Sequence, residues 1–480
     1  GNFFDVKANP NSFSNIVYAA TGSTVQKSID NGATFTIVQN ISGANRIALG
    51  VSNANSGYLY ALASNGSGNG FLGFYQSVDT AKTFTLKATT PNLLGWDSDG
   101  GDSGGQGWYD LCLAVDPTDP EVVYTGGVNV WKSTNGGTAW SLRTHWSGAS
   151  GVQTVHADQH CMEWQNPTTL WLGNDGGIYK STNGGVNWSD KSNGLIISQM
   201  YKLGVSQADA KVITGLQDNG TKLKGTSGTW NDVIGGDGME CAIRPDNASV
   251  MYGSLYYGAI RRSTNGGSSW TSIKPSNAGD GAWVTPFVLD PNASQTIYAG
   301  FKRVYKSTNQ GTNWTALGSS NLNSSALNYL HVAKANSSVI YAGRGSSLYR
   351  TTNGGTNWST MTVPGSNTVM LAIHPDDADM IWAVRSNYTA GQKVYKSEDG
   401  GATWINVSGT LPNLPVNCIL FDESTNKDGL YIGMDVGVFY RDNDMEDWEL
   451  FSTGLPNTPV FELEIKYDTD EIFAATYGRG

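Results

Sequence analysis

Three residues of the segment VHADQH, His156, Asp158 and His160, alternate along the chain. Side chains two apart in a strand share a face, so two imidazoles and a carboxylate would suit a transition metal if Asp175 or Asp237 supplied a fourth ligand. The simpler expectation is a hydrogen-bonded binding surface at the inner end of a repeat. Further on, GLQDNGT carries Gln217 and Asp218, and GGDGMEC carries Asp237 and Glu240. A Gly-rich loop, WDSDGGDSGG, sets Asp97, Asp99 and Asp102 close together. Calcium takes hard oxygen ligands of this kind, but the closing bidentate Glu of an EF-hand loop is missing. The sequence therefore allows Ca²⁺ there and requires no cofactor. Trp96 and Trp108 flank the loop and are candidates to stack on a sugar ring, joined by Trp146, Tyr256 and Tyr257.

Other chemistries are excluded by what the chain lacks. It carries no G-x-S-x-G elbow, no phosphate-binding P-loop and no H-E-x-x-H pair. A formal charge of -11 argues against nucleic acid or an anionic bilayer as a partner. No run is apolar enough to insert directly into a membrane. The four cysteines, Cys112, Cys161, Cys241 and Cys418, occupy the same apolar strand of their repeats, so buried single thiols are expected rather than disulfides.

The elements that must position these residues follow from a repeat. KSTNGGVNW at 180–188 recurs in variant form with its Ser or Thr at 28, 77, 133, 181, 263, 307, 351 and 397. The spacing is 44 to 56 residues, except for one double interval of 82 spanning a degenerate copy within 217–230. Sixty Gly and many Ser, Thr and Asn fit short strands and tight turns. Each repeat reads as four strands, with the box as the hairpin between the third and fourth, which is the signature of a β-propeller blade. Eleven first-strand segments, from FFDVKANP to FELEIKY, give ten full units and a final half.

The boxes resemble the Asp-box or BNR repeat of sialidases, of the sortilin family and of xyloglucan-hydrolysing glycosidases. The run VHADQH, GNDGGIYKSTNGG, GLQDNGT and GGDGMEC, with the final TYGRG, looks like secreted surface proteins of Bacteroidetes-type bacteria. These resemblances imply an all-β fold of antiparallel four-stranded blades. The expected arrangement is two packed seven-bladed propellers: residues 1–150 in a first, incomplete ring, 151–450 in a seven-bladed ring, and 451–480 a half blade returning to close a ring. One ten-bladed ring is the alternative. In xyloglucan-cleaving enzymes a catalytic Asp lies in T-D-x-G-G-x-Y-R. MDVGVFYR places Asp435 at that position, with Val438 in place of one Gly, while Asp175 and Asp218 are further candidates. Paired carboxylates are what glycoside hydrolysis needs. A sialidase is disfavoured because no set of Arg can be assigned to clamp a substrate carboxylate. The expectation is a secreted or cell-surface module that binds a polysaccharide or a surface protein around His156, Asp158, His160, Gln217, Asp237 and Glu240. The alternative is a xyloglucanase-like hydrolase.

Overall fold

In the computed structural model the described residues, 2–11 and 13–479, are almost wholly strands and turns. Nine four-stranded sheets, one five-stranded and one two-stranded follow one another, each keeping its strands in chain order. They begin at the eleven expected inner strands, from Asp5–Ala8 to Val460–Lys466. These are β-propeller blades. Among the described residues no helix is long and apolar enough to cross a membrane.

The recurrent turn explains why the strands stop where they do. In the copy at 397–404, Ser397 Oγ donates to Asp399 Oδ1 at 2.8 Å and receives the Gly401 N–H at 2.8 Å, while Asp399 Oδ1 receives the Thr403 N–H at 2.8 Å. Gly400 and Gly401 lie at φ +69° and +97°, where a side chain would be strained. The closing Trp404 donates its indole N–H back to Gly401 O at 3.1 Å and packs its ring between blades. The box tryptophans are thus committed to packing.

The apolar core is divided among the spaces between successive sheets. Tyr329, Tyr341 and Leu348 of one sheet close on Leu371, Ile381 and Ala383 of the next. Each fully buried Leu or Ile contributes about 1.5–3 kcal/mol, so stability accrues interface by interface. Second-strand tyrosines tie neighbouring blades: the Tyr60, Tyr124 and Tyr341 hydroxyls donate to Pro120 O, Gly184 O and Ala378 O at 2.7, 2.8 and 2.7 Å. The inner strands face a different problem, because their outer N–H groups are unpaired sheet edge. A side chain from the preceding inner strand answers it: Asp5 for Leu49 N–H, His331 for Leu371 N–H, and Glu462 for Leu203 N–H.

The chain forms two compact units, Gly1–Leu195 and Ile196–Gly480. The first contains three four-stranded sheets and the five-stranded one; the second contains six four-stranded sheets and the two-stranded one. Residues 151–195 lie with the first unit, where Met162, Leu170, Leu172 and Trp188 pack onto Cys112, Ala114 and Tyr124 of the preceding sheet. Within the second unit Val460–Lys466 lies beside both Val416–Asp422 and Met200–Val205. Gly478 N–H also bonds Ser198 O at 2.9 Å. The last sheet of this unit therefore meets its first. Of the four thiols, three are buried as expected, whereas Cys161 is exposed, and all four are free.

Candidate functional sites

In the second unit, QDNGT and GGDGMEC meet because glycine lets two backbones touch. A Cβ on Gly238 would lie 2.3 Å from Gly220 O, and the Gly238 N–H reaches Leu216 O at 2.9 Å. This close approach brings Asp237 against Gln217 and Asp218. Gln217 Nε2 donates to Asp218 Oδ1 at 2.8 Å and to Asp237 Oδ1 at 3.0 Å, and Asp237 Oδ1 also receives the Asp218 N–H at 2.8 Å. The Gln217 carbonyl accepts from the Tyr201 hydroxyl, which in turn accepts the Trp283 indole N–H at 3.1 Å. Every donor and acceptor in this chain has one consistent direction, so the amide and the rings are fixed together.

Trp283 then opens onto an aromatic surface that the sequence reading missed in part. Its ring lies parallel to Tyr256, with centroids 5.4 Å apart and planes at 7°, and Tyr257 stands edge-on to both. Tyr256, Tyr257 and Trp283 are 41 %, 44 % and 39 % exposed. Tyr257 holds φ +58°, a left-handed conformation that costs a non-Gly residue about 1–2 kcal/mol. Its backbone is pinned by bonds to Trp283 O, from the Gly281 N–H and from Lys274 Nζ. Trp283 stands outside every box, which was the available signal.

Glu240 does not join this cluster. It faces a cavity of about 420 Å³ inside the second unit, walled by Tyr201, Trp283, Phe287, Tyr329 and Phe461. There Lys202 Nζ lies 3.3 Å from Glu462 Oε1. Burial raises the Glu240 carboxyl to about 8, with Glu462 adding to the effect and Lys202 opposing it. Burial would lower the Lys202 ammonium, but Glu462 and Glu240 outweigh it and the net shift is upward. The charged positions of FELEIKY, alternating with apolar ones, were the sequence sign of this lining.

In the first unit His156, Asp158 and His160 do not share a face. Asp158 takes φ +65°, the strand begins only at Gln159, and period-two alternation is lost. His156 is seated against Gly176, where a Cβ would lie 2.5 Å from its ring atoms. His160 Nε2 instead meets Asp175 Oδ1 at 2.7 Å, and the Tyr109 hydroxyl donates to Asp175 Oδ2 at 2.9 Å. Asp158 is buried, receives Gln106 Nε2 at 2.9 Å and faces the Asp110 carboxyl. Asp110 is fully buried and its carboxyl lies in hydrogen-bond contact with that of Asp158. Burial first, then the Asp158 carboxyl, push it up to about 9, so it is protonated at neutral pH. Asp158 is also raised, by burial and then by Asp175. Asp110 sits in the apolar context YDLCLAV and was passed over for that reason.

The remaining candidates are dispersed. Asp102 accepts the Trp96 and Asp97 N–H groups at 2.6 and 3.4 Å, and Asp99 accepts the Gly101 N–H at 2.9 Å. Asp97 and Asp99 are exposed, and the three carboxylates of this loop do not converge on one point among the described residues. Trp96 is 39 % and Trp108 59 % exposed, the latter beside Tyr109. Asp435 bonds Asn417 Nδ2 at 2.9 Å and the Tyr388 hydroxyl at 3.5 Å, apart from the Gln217 group.

A family model described as Sortilin-Vps10 (sortilin, neurotensin receptor 3) matches residues 302–409. No curated protein matches the chain. Among solved structures it is similar to the GH74 enzyme of Niastella koreensis, at 15 % identity over 100 % of this chain and 97 % of that one, with a TM-score of 0.32. YCF48 from Cyanidioschyzon merolae is 13 % identical over 59 % of this chain and 94 % of that one, with a TM-score of 0.45. The GH74 xyloglucanase from Xanthomonas campestris is 14 % identical over 93 % and 79 %, with a TM-score of 0.27. The family-model match over 302–409 agrees with the sequence resemblance to sortilin-like propeller proteins.

Proposed function

We propose that this chain is a propeller module of a secreted or cell-surface protein and binds a neutral polysaccharide through its second unit. One observation carries the reading: the continuous line from Tyr256 and Trp283 through Tyr201 and Gln217 to Asp218 and Asp237. Half-exposed aromatic rings offer their faces to the C–H side of a pyranose, and carboxylates fixed beside them accept its hydroxyl protons. The strain held at Tyr257 supports a functional role for the turn, since the fold tolerates such backbone only where its surroundings enforce it. The net negative charge favours a neutral glycan over an acidic one. The test is affinity electrophoresis and calorimetry of the full chain with xyloglucan and mixed-linkage β-glucan. Trp283→Ala and Asp237→Asn should each weaken binding about tenfold or more. Retention of full affinity by both variants, or no binding by the parent protein, overturns the reading.

A further inference from the structure

We propose that the cavity of the second unit, which shares Tyr201 and Trp283 with the aromatic platform, is a binding site for a small organic cation, a protonated amine with an apolar body, paired with Glu240. Three observations converge on that chemistry. The space of about 420 Å³ suits a molecule the size of an aryl or alkyl amine. Its wall includes the partly exposed rings of Tyr201, Trp283 and Phe461, and aromatic rings attract a desolvated cation. Its charged lining is unbalanced. Lys202 is already engaged by Glu462, and Glu462 Oε2 also takes the Leu203 N–H at 2.6 Å. Glu240, only 8 % exposed, also lines the cavity, and the donor beside its carboxyl is the adjacent Cys241 N–H. A buried carboxylate in an aromatic chamber is left with room for one more positive charge.

An entering ammonium would convert Glu240 from acid to carboxylate, releasing its proton to solvent. Affinity should therefore rise as the pH is raised toward 8. The groups that face Glu240 act in known directions. Lys202 favours its ionisation, Glu462 opposes it, and Glu464 adds a further carboxyl that burial, and then Glu462, raises. His331, lowered to about 3 by burial and then by Lys202, stays neutral throughout, as do the buried thiols of Cys241 and Cys418, which burial raises. Glu462 is itself raised by burial, so Glu240 and Glu462 share the expected pH dependence. The proposal does not rest on glycan binding: the platform could fail to hold any polysaccharide while the cavity still took an amine.

The experiment is calorimetric titration of the full chain with benzylamine and with benzyl alcohol, its neutral isostere. Benzylamine should bind, and benzyl alcohol should bind at least about tenfold more weakly. Glu240→Gln should weaken benzylamine by a similar factor and lessen the pH dependence. If that variant does not fold, Phe461→Ala, which enlarges the chamber and removes one ring, should weaken the amine in its place. Equal affinity for amine and alcohol, or unchanged benzylamine affinity in the variant tested, overturns the proposal. So does the absence of benzylamine binding to the parent protein.

Discussion

Glu462 receives the backbone N–H of Leu203 at 2.6 Å and lies 3.3 Å from the Lys202 ammonium. One carboxylate thus satisfies both the open edge of the first inner strand of the second unit and the charge next to that edge. It does so from the last sheet of the same unit, a two-stranded one. The closure of these sheets rests on a polar contact in addition to apolar packing by Val460, Leu463 and Ala475.

Removing that carboxylate should therefore be costly. Glu462→Ala leaves a buried ammonium and a buried N–H without their partner, a change that costs about 3–5 kcal/mol when a buried pair is broken. Urea denaturation should show the loss, and Glu462→Gln, which can still accept the Leu203 N–H, should lose less.

Buried carboxyls, Glu240 and Asp110 among them, set the pH dependence of stability. The folded values of about 8 and about 9 lie above the ordinary 4.5 and 3.8, so the folded state binds these protons more tightly than the unfolded chain. Stability from each group is complete below its ordinary value and declines as pH rises toward its folded value, then levels off. Thermal melts across that range should show the decline, and Glu240→Gln should lessen it while Asp110 keeps its share.

Tyr257 separates stability from binding. Tyr257→Gly relieves about 1–2 kcal/mol of left-handed strain and forfeits two edge-on ring contacts worth about 0.5–1.5 kcal/mol each. These terms nearly cancel. The variant should melt close to the parent protein yet bind polysaccharide more weakly, and a large drop in the melting temperature would show that the turn is structural.

The recurrent turn can be tested at one copy. Ser397→Ala removes the acceptor for the buried Gly401 N–H, and an unsatisfied buried group costs about 1–3 kcal/mol. Chemical denaturation of the full chain should register a loss of that size, while Glu398→Ala, at an exposed position of the same turn, should change little.

Local chemistry made much of this protein legible. The Ser, Asn or Asp, Gly and Trp of each box dictate a turn from neighbouring residues alone, so the four-stranded sheets and their eleven inner strands could be read directly. Gln217, Asp218 and Asp237 could be singled out because they interrupt that repeat. What the sequence could not decide depended on which backbones touch. Glycine contacts at Gly238 and Gly220 join two of the segments, while Glu240, three residues beyond Asp237, turns into the cavity instead. A left-handed Asp158 breaks the alternation that would have aligned His156 with His160. Asp110, apolar in its sequence setting, acquires its proton affinity only from burial beside Asp158. Repeats specify blades by short-range hydrogen bonds and packing. The sites arise between inner strands distant in the chain, and tertiary structure alone sets those distances.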